Sequence, residues 1–290
     1  LIKTTGGLKR IGNFNQDNMV SSTVYNSTTF SGNAIGTVES ALSISKLDVV
    51  DVGAFQNTSI SILLADGTVK SSGENDQGQA GVTSNTGNKI DTLTDADMLN
   101  ALNINGNKII KIRNTQFKVT FALLDNGKLY YVGKGKTSNR PNSGNGTVFE
   151  DSKDFSPHRA IQAVTTFDGS SDDKFIVDFE TTGGGSGNII ITKDGKVWSW
   201  GDNSWGSLGN GSYSNNLDND PYMHSPNAVY IDSGTTQLSG VATRGYNGFS
   251  SNNVYIMNIG DGFAVLMANG TIMSWGRNQK GTISNSSNTV

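Results

Sequence analysis

The chain has 290 residues, of which 36 are glycine, 33 asparagine and only 4 proline; 16% are charged, and the formal net charge is −3. That length suffices for one large β domain with a sizeable core, while the missing basic block removes the electrostatic footprint expected of a nucleic-acid binder. No apolar run approaches the length of a membrane-spanning helix, and the absence of cysteine excludes disulfides and thiolate metal sites.

In chain order, short apolar runs precede Asp-Gly or Asn-Gly turns: Ile60–Leu64 before Asp66-Gly67, Val119–Leu124 before Asn126-Gly127, Ile189–Ile191 before Asp194-Gly195, and Phe263–Met267 before Asn269-Gly270. Such dipeptides between apolar runs predict β-hairpins, since both residues tolerate positive φ. A further strand is expected before each hairpin, at Val49–Val52, Ile109–Ile112, Phe175–Phe179 and Val254–Met257. Another is expected after two of them, at Ser156–Ile161 and Ser225–Ile231. About four strands per unit is the content of one propeller blade.

The hairpins belong to an internal repeat in which a turn glycine is followed six residues later by a second glycine. The five second glycines, Gly12, Gly73, Gly133, Gly201 and Gly276, are 61, 60, 68 and 75 residues apart. Those intervals suit four strands plus loops and exceed leucine-rich or ankyrin units. The second hairpin strands do not alternate cleanly, as Val197-Trp198-Ser199-Trp200 shows, which fits sheets buried on both faces between neighbours.

The stretch from Lys193 to Gly211, with Trp200-Gly201-Asp202-Asn203 leading into Gly206-Ser207-Leu208-Gly209, resembles the repeat of the RCC1 (regulator of chromosome condensation) family. Asn269 to Gly281, with Trp275-Gly276-Arg277-Asn278, resembles it too. Asp66 to Gly81 keeps the frame with Ser72 in place of tryptophan; repeats one and three depart further, with Ile11 and Val132 there and Asp17 and Ser138 where the next glycine would stand. The resemblance implies an all-β, RCC1-like β-propeller of four-stranded blades. Residues 1–290 are read as a single propeller domain with repeats centred near 6–12, 67–81, 127–133, 195–211 and 270–281. Leu1 aligns within a strand, so the chain is expected to be an excerpt or processed part of something longer. Family members commonly close with seven blades, needing roughly 420 to 500 residues at this spacing; a closed five-bladed ring is the alternative.

Catalytic inventory is thin, and the chain reads as a non-enzyme without cofactor or metal. Its two histidines, His158 and His224, flank Ser-Pro steps in parallel repeat positions, where a strand-entry role outweighs that of nucleophile partners. Gly133-Lys-Gly-Lys-Thr137 lacks the first glycine of a phosphate-binding loop, because position 130 is Tyr130, and it reads as a solvated loop. Gly183–Gly187 reads as a bend between strands, and the Asp168–Asp173 cluster lacks the spacing of a calcium loop. Trp198, Trp200 and Trp275 read as blade packing, with Trp205 less clearly so.

Ser204–Met223 and Asp232–Asn253 lengthen the last two repeats and carry Tyr213, Tyr222, Tyr246 and Phe249 among Ser, Gly and Asn. That mixture suits rigid aromatic anchors with adaptable polar contacts. These four are the expected partner-binding residues of a binding or assembly module that recognises a protein or glycan, without nucleic acid or membrane insertion. The composition fits a virion-surface or tail-fibre component outside the cell. The resemblance implies as alternative an exchange factor or effector acting on a small GTPase. A glycan-active enzyme using loop carboxylates stands third.

Overall fold

The computed structural model describes residues 2–4, 7–10, 36–37, 49–54, 59–83, 89–115, 118–133, 136–137, 140–141, 162–163, 166–182, 187–203, 205–211, 222–231, 236–242 and 256–277. The chain divides into two compact units. One comprises Leu1–Leu124, Val132–Lys134 and Asp154–Ile161; the other comprises Asp125–Tyr131, Gly135–Lys153 and Gln162–Val290.

The described residues are nearly all β. A first sheet holds β1 (Ile2–Thr4), β2 (Gly7–Arg10) and β3 (Gly36–Thr37), in that order. The second orders β4 (Val49–Ala54), β5 (Ser59–Leu64), β6 (Val69–Glu74) and β7 (Lys89–Asp95) consecutively, and a single helical turn, α1 (Asp97–Asn100), follows. β8 (Ile109–Asn114), β9 (Val119–Leu124) and β10 (Leu129–Gly133) form the third, and a two-stranded ribbon of β11 (Lys136–Thr137) and β12 (Arg140–Pro141) intervenes before β13 (Gln162–Ala163) completes that sheet beside β10. The fourth comprises β14 (Ile176–Thr181), β15 (Gly187–Thr192), β16 (Val197–Asp202) and β17 (Tyr222–Ala228), and the last β18 (Ile256–Asn258), β19 (Gly262–Leu266) and β20 (Ile272–Gly276), each in consecutive order. These up-and-down antiparallel sheets are the blade units that the repeat predicts. The ribbon corrects the loop reading of Gly133–Thr137, since Lys136 pairs with Pro141 and Thr137 with Arg140.

All four described hairpin turns are built alike, and not as two-residue turns. Gly67 N–H donates to the Leu64 carbonyl at 3.0 Å, Gly195 to Thr192 at 2.8 Å and Gly270 to Met267 at 2.9 Å, so three residues connect the strands. Only the glycine of each pair has positive φ: 91° at Gly67, 77° at Gly127, 81° at Gly195 and 87° at Gly270. This is the three-residue hairpin with a left-handed third position. The preceding Asp or Asn serves through its side chain instead: Oδ1 of Asp66, Asn126, Asp194 and Asn269 accepts from the N–H two residues on, at 2.8, 3.2, 3.4 and 3.0 Å. Positive-φ tolerance of both residues is therefore the wrong reason for the right prediction; the dipeptide is selected by an Asx turn followed by a glycine.

Alternate residues of each hairpin point to opposite faces. All six residues of β9 and all six of β15 are buried, so both faces of these strands are covered. Two sheet-on-sheet contacts, one in each unit, share one arrangement. β8 lies against β4 and β5, where Asn114 Nδ2 reaches Ser59 Oγ at 2.7 Å and Ser61 Oγ at 3.1 Å. Asp51 accepts from the Ile112 N–H at 3.0 Å and pairs with Arg113 at 2.9 Å. In the other unit Ile189, Ile191 and Val197 of the fourth sheet share a core with Ile256, Phe263 and Val265 of the last. There Asn258, at the repeat position of Asn114, donates to the Thr181 carbonyl at 2.5 Å.

Asn188 breaks this pattern of satisfied packing. It takes the repeat position of Thr120 and Phe263, is 2% exposed, and neither atom of its amide has a hydrogen-bond partner among the described residues. An unpaired buried amide costs about 1–3 kcal/mol. Asn188→Leu, close in volume, is expected to raise stability by about 1 kcal/mol, read as a higher urea midpoint at unchanged slope.

Candidate functional site

The loops after β6 and β16 are copies of one another. In the first, Asn75 Oδ1 accepts from Ala80 N–H at 3.0 Å and its Nδ2 donates to the Val82 carbonyl at 2.7 Å. In the second, Asn203 Oδ1 accepts from Leu208 N–H at 3.1 Å, and Nδ2 donates to Asn210 Oδ1 at 3.1 Å. A side-chain amide thus staples each loop and replaces a strand ladder as partner for its backbone. The asparagine two residues beyond the second glycine in Trp-Gly-Asp-Asn203 is structural.

The next sheet then holds the same loop carbonyl by different chemistry in each copy. Thr120 Oγ1 donates to the Gln79 carbonyl at 2.6 Å, whereas Trp275 Nε1 donates to the equivalent Ser207 carbonyl at 3.0 Å. Trp275 is therefore more than packing within its own blade. Trp200 is core at 1% exposure, and half-buried Trp198 meets Phe167 edge-on at 5.7 Å.

Charge completes both loops. Lys118 Nζ lies 2.8 Å from Asp76 and 3.2 Å from Glu74. Burial disfavours the Asp76 carboxylate, but hydrogen bonds from Lys118 and Gln79 and the attraction of Lys118 outweigh it and hold its pKa below the usual value of 3.8. Burial likewise pulls Lys118 down, and its bonds and attraction to Asp76 and Glu74 raise it above 10.5. A lowered carboxylate stabilises the fold above 3.8 and loses that contribution as pH falls through the folded value; a raised lysine contributes below 10.5 and loses it as pH rises through its folded value. Asp76→Asn is expected to cost about 0.5 kcal/mol near neutrality, since both partners are about one-third or more exposed. Thermal melts of the two proteins are expected to converge below pH 3.8.

In the second loop the Arg277 guanidinium sits 4.3 Å over the half-buried Trp205 ring and pairs with Asp261 at 2.9 Å. The Arg277 side chain remains 37% exposed and that of Asp261 42%. Trp205 is the tryptophan that reads less clearly as blade packing, and Arg277, 72 positions away, carries no local signal of the pairing.

Of the expected partner-binding residues, Tyr213, Tyr246 and Phe249 lie outside the described residues. Tyr222 opens β17, where its backbone pairs with Asp202, so the loop expected to run to Met223 ends before Tyr222. Gly12 and His158 also lie outside, and His224 falls within β17. Among the described residues no group of three or more His, Cys, Asp and Glu is placed to hold a metal ion, and no helix is long and apolar enough to cross a membrane.

Comparison with known proteins adds to this geometry. The family model described as the regulator of chromosome condensation (RCC1) repeat matches residues 194–236, the segment containing β16, the Asn203-stapled loop and β17. Residues 194–236 thus carry an RCC1-type repeat, and the fold is that of RCC1-like β-propellers. Human WBSCR16 resembles the RCC1-like chain at TM-score 0.57 and 19% identity over 94% of this chain and 57% of its own. Prp20p from Saccharomyces cerevisiae, in a structure described with its binding to Gsp1p and histones, matches at 0.54 and 20% over 79% and 44%. The same yeast RCC1 (Prp20) bound to Kap60 matches at 0.53 and 19% over 79% and 43%. The RCC1-like chain thus spans about half the length of these structures. A search of curated proteins found no match.

Proposed function

We propose that this chain is a noncatalytic protein-binding scaffold that presents loops from rigid, stacked sheets. The observation that carries this reading is the stapled loop at Asn203–Asn210 with Trp205 and Arg277 beside it. Tryptophan and arginine dominate binding hot spots, and a loop fixed by internal hydrogen bonds loses little freedom on binding. Yeast Prp20p, of the same fold, is described as binding Gsp1p and histones, which supports protein partners as a class. The narrower assignments belong to the same proposal: recognition of a protein or glycan through Tyr213, Tyr222, Tyr246 and Phe249, and a place on a virion surface or tail fibre, outside the cell.

Size fractionation of the native source, with peptide mass spectrometry following this chain, tests it. Co-sedimentation with a large particle supports the assembly role, and loss of that association in a Trp205→Ala, Arg277→Ala double variant with an unchanged melt places the contact at this loop. Recovery as a small soluble species sinks the assembly role. A second reading, regulation of a small GTPase, is favoured by the described Gsp1p binding of Prp20p; it predicts faster nucleotide release from a small GTPase on addition of the purified chain.

A further inference from the structure

Six Asn-Gly steps occur in the chain, at Asn105, Asn126, Asn145, Asn210, Asn247 and Asn269. Asparagine is a thermolabile residue, and a following glycine has no Cβ to shield its nitrogen from the side-chain amide before it. Four of the six, Asn105, Asn126, Asn210 and Asn269, lie among the described residues.

Three of these are held. Asn269 Oδ1 accepts from the Thr271 N–H at 3.0 Å and from its hydroxyl at 2.7 Å, while the Gly270 N–H, whose nitrogen would have to attack, donates to the Met267 carbonyl at 2.9 Å. Asn126 Oδ1 accepts from the Lys128 N–H at 3.2 Å, and Gly127 is buried against the Phe175 ring, 2.6 Å from where a Cβ would lie. Asn210 Oδ1 accepts from Asn203 Nδ2 at 3.1 Å within the stapled loop. An amide carbon must swing onto the next nitrogen to react, so each of these bonds has first to break.

Asn105 is placed differently. It sits between α1 and β8 in a turn closed by the Asn107 N–H donating to the Ile104 carbonyl at 3.0 Å, with φ of 55° at Asn105 and 81° at Gly106. Positive φ at both central residues makes this a type I′ turn, which the described hairpins do not use. Both residues are exposed, and nothing among the described residues lies within 4 Å of a Cβ added at Gly106. Neither the Asn105 amide nor the Gly106 N–H has a hydrogen-bond partner among the described residues. The base of the turn is fixed instead: Asn103 Oδ1 accepts from the Ile109 N–H at 2.9 Å, Asn103 Nδ2 donates to the Gly67 carbonyl at 2.8 Å, and Asn107 Nδ2 donates to the Ile104 carbonyl at 3.0 Å. An anchored turn thus presents an unheld amide and an unheld nucleophile at its tip.

We propose that Asn105 is a site of spontaneous deamidation and isoaspartate formation in the folded protein, converted ahead of Asn126, Asn210 and Asn269. The Gly106 nitrogen gives its proton to a solvent base and attacks Asn105 Cγ; the Cγ–Nδ2 bond breaks, and that nitrogen takes up a proton and leaves as ammonia. Water then opens the cyclic imide. Cleavage between Cγ and the Gly106 nitrogen gives aspartate, and cleavage between the main-chain carbonyl carbon and that nitrogen gives isoaspartate, which carries the backbone through the former side chain. Either product adds one negative charge to the formal net charge of −3. The inference is independent of the partner-binding reading above, since it uses neither Trp205 nor the rim loops.

Incubation of the folded 290-residue chain at mildly alkaline pH, sampled by isoelectric focusing and peptide mass mapping, tests it. A more acidic species is expected to accumulate with its change at position 105, while Asn126, Asn210 and Asn269 lag. In urea the four sites should convert at similar rates, because the three lagging ones are protected by structure alone. Gly106→Ala, whose methyl crowds the attacking nitrogen, should slow conversion at 105 about tenfold. Asn105→Asp should focus with the acidic species from the start and show no further change of charge at that residue. Conversion of Asn126, Asn210 or Asn269 in the folded chain as fast as that of Asn105 overturns the proposal, as does an unchanged rate in Gly106→Ala.

Discussion

Gly133→Ala is expected to destabilise the unit holding β8 and β9 by about 3 kcal/mol or more. Two costs combine. The second glycine of every described repeat has nearly one conformation, with φ of 103° at Gly73, 104° at Gly133, 109° at Gly201 and 112° at Gly276, a region where a side chain strains the backbone. At Gly133 an added Cβ would also fall far inside 3.0 Å of the Lys118 carbonyl oxygen, a separation real Cβ atoms do not reach, and meet Gln79 Cα at 3.0 Å. Both obstacles are main chain, so relief requires moving the hairpin entry or the stapled loop. Gly106→Ala separates the two costs: φ there is 81° but nothing among the described residues lies within 4 Å of an added Cβ, so about 1 kcal/mol is expected. Urea unfolding of both variants decides the matter, and equal losses would refute the steric argument.

This glycine was legible in the sequence because its constraint is local and copied. Every repeat needs the same backbone at the same step, so spacing alone exposed Gly73, Gly133, Gly201 and Gly276 and, with the Asp-Gly and Asn-Gly turns, the hairpins. The strands before the hairpins were legible for a similar reason, since β-branched runs such as Ile109–Ile112 have few alternatives to a buried strand. What escaped was whatever depends on a neighbour distant in sequence. The Lys136–Pro141 ribbon lacks apolar periodicity, and Tyr222 follows a polar Asn- and Asp-rich stretch that reads as loop until β17 begins. Trp200 and Trp275 occupy one repeat position and look alike in sequence. Yet Trp200 is sealed in a sheet covered on both faces, while the Trp275 indole reaches the Ser207 carbonyl of another sheet. Burial depends on what covers the sheet, which the repeat itself does not encode. The same reasoning separates Ile272 from Val69, identical in pattern and opposite in exposure.

Trp275→Ala should therefore act across the sheet contact, where a change within one blade's own packing would act locally. The ring packs on the core containing Phe263 and Val265, its centroid lies 6.3 Å from that of Phe263, and Gly209 offers no Cβ where one would lie 2.8 Å from the indole nitrogen. Truncation removes this packing and also leaves the Ser207 carbonyl without its indole donor, for an expected loss of about 3 kcal/mol. Trp275→Phe keeps most of the ring and forfeits the hydrogen bond, so about 1 kcal/mol is expected from it. Hydrogen exchange discriminates the mechanism, since Gly209 N–H is bonded to the Gly206 carbonyl within the stapled loop at 3.1 Å. If Trp275 clamps the loop, both variants should speed exchange at Gly206–Gly209 while Ile189–Ile191 in β15 keep their protection in the phenylalanine variant. Uniform loss of protection through the unit, or none in the loop, would reduce Trp275 to ordinary core packing and leave the Asn203 staple as the element that fixes the candidate binding loop.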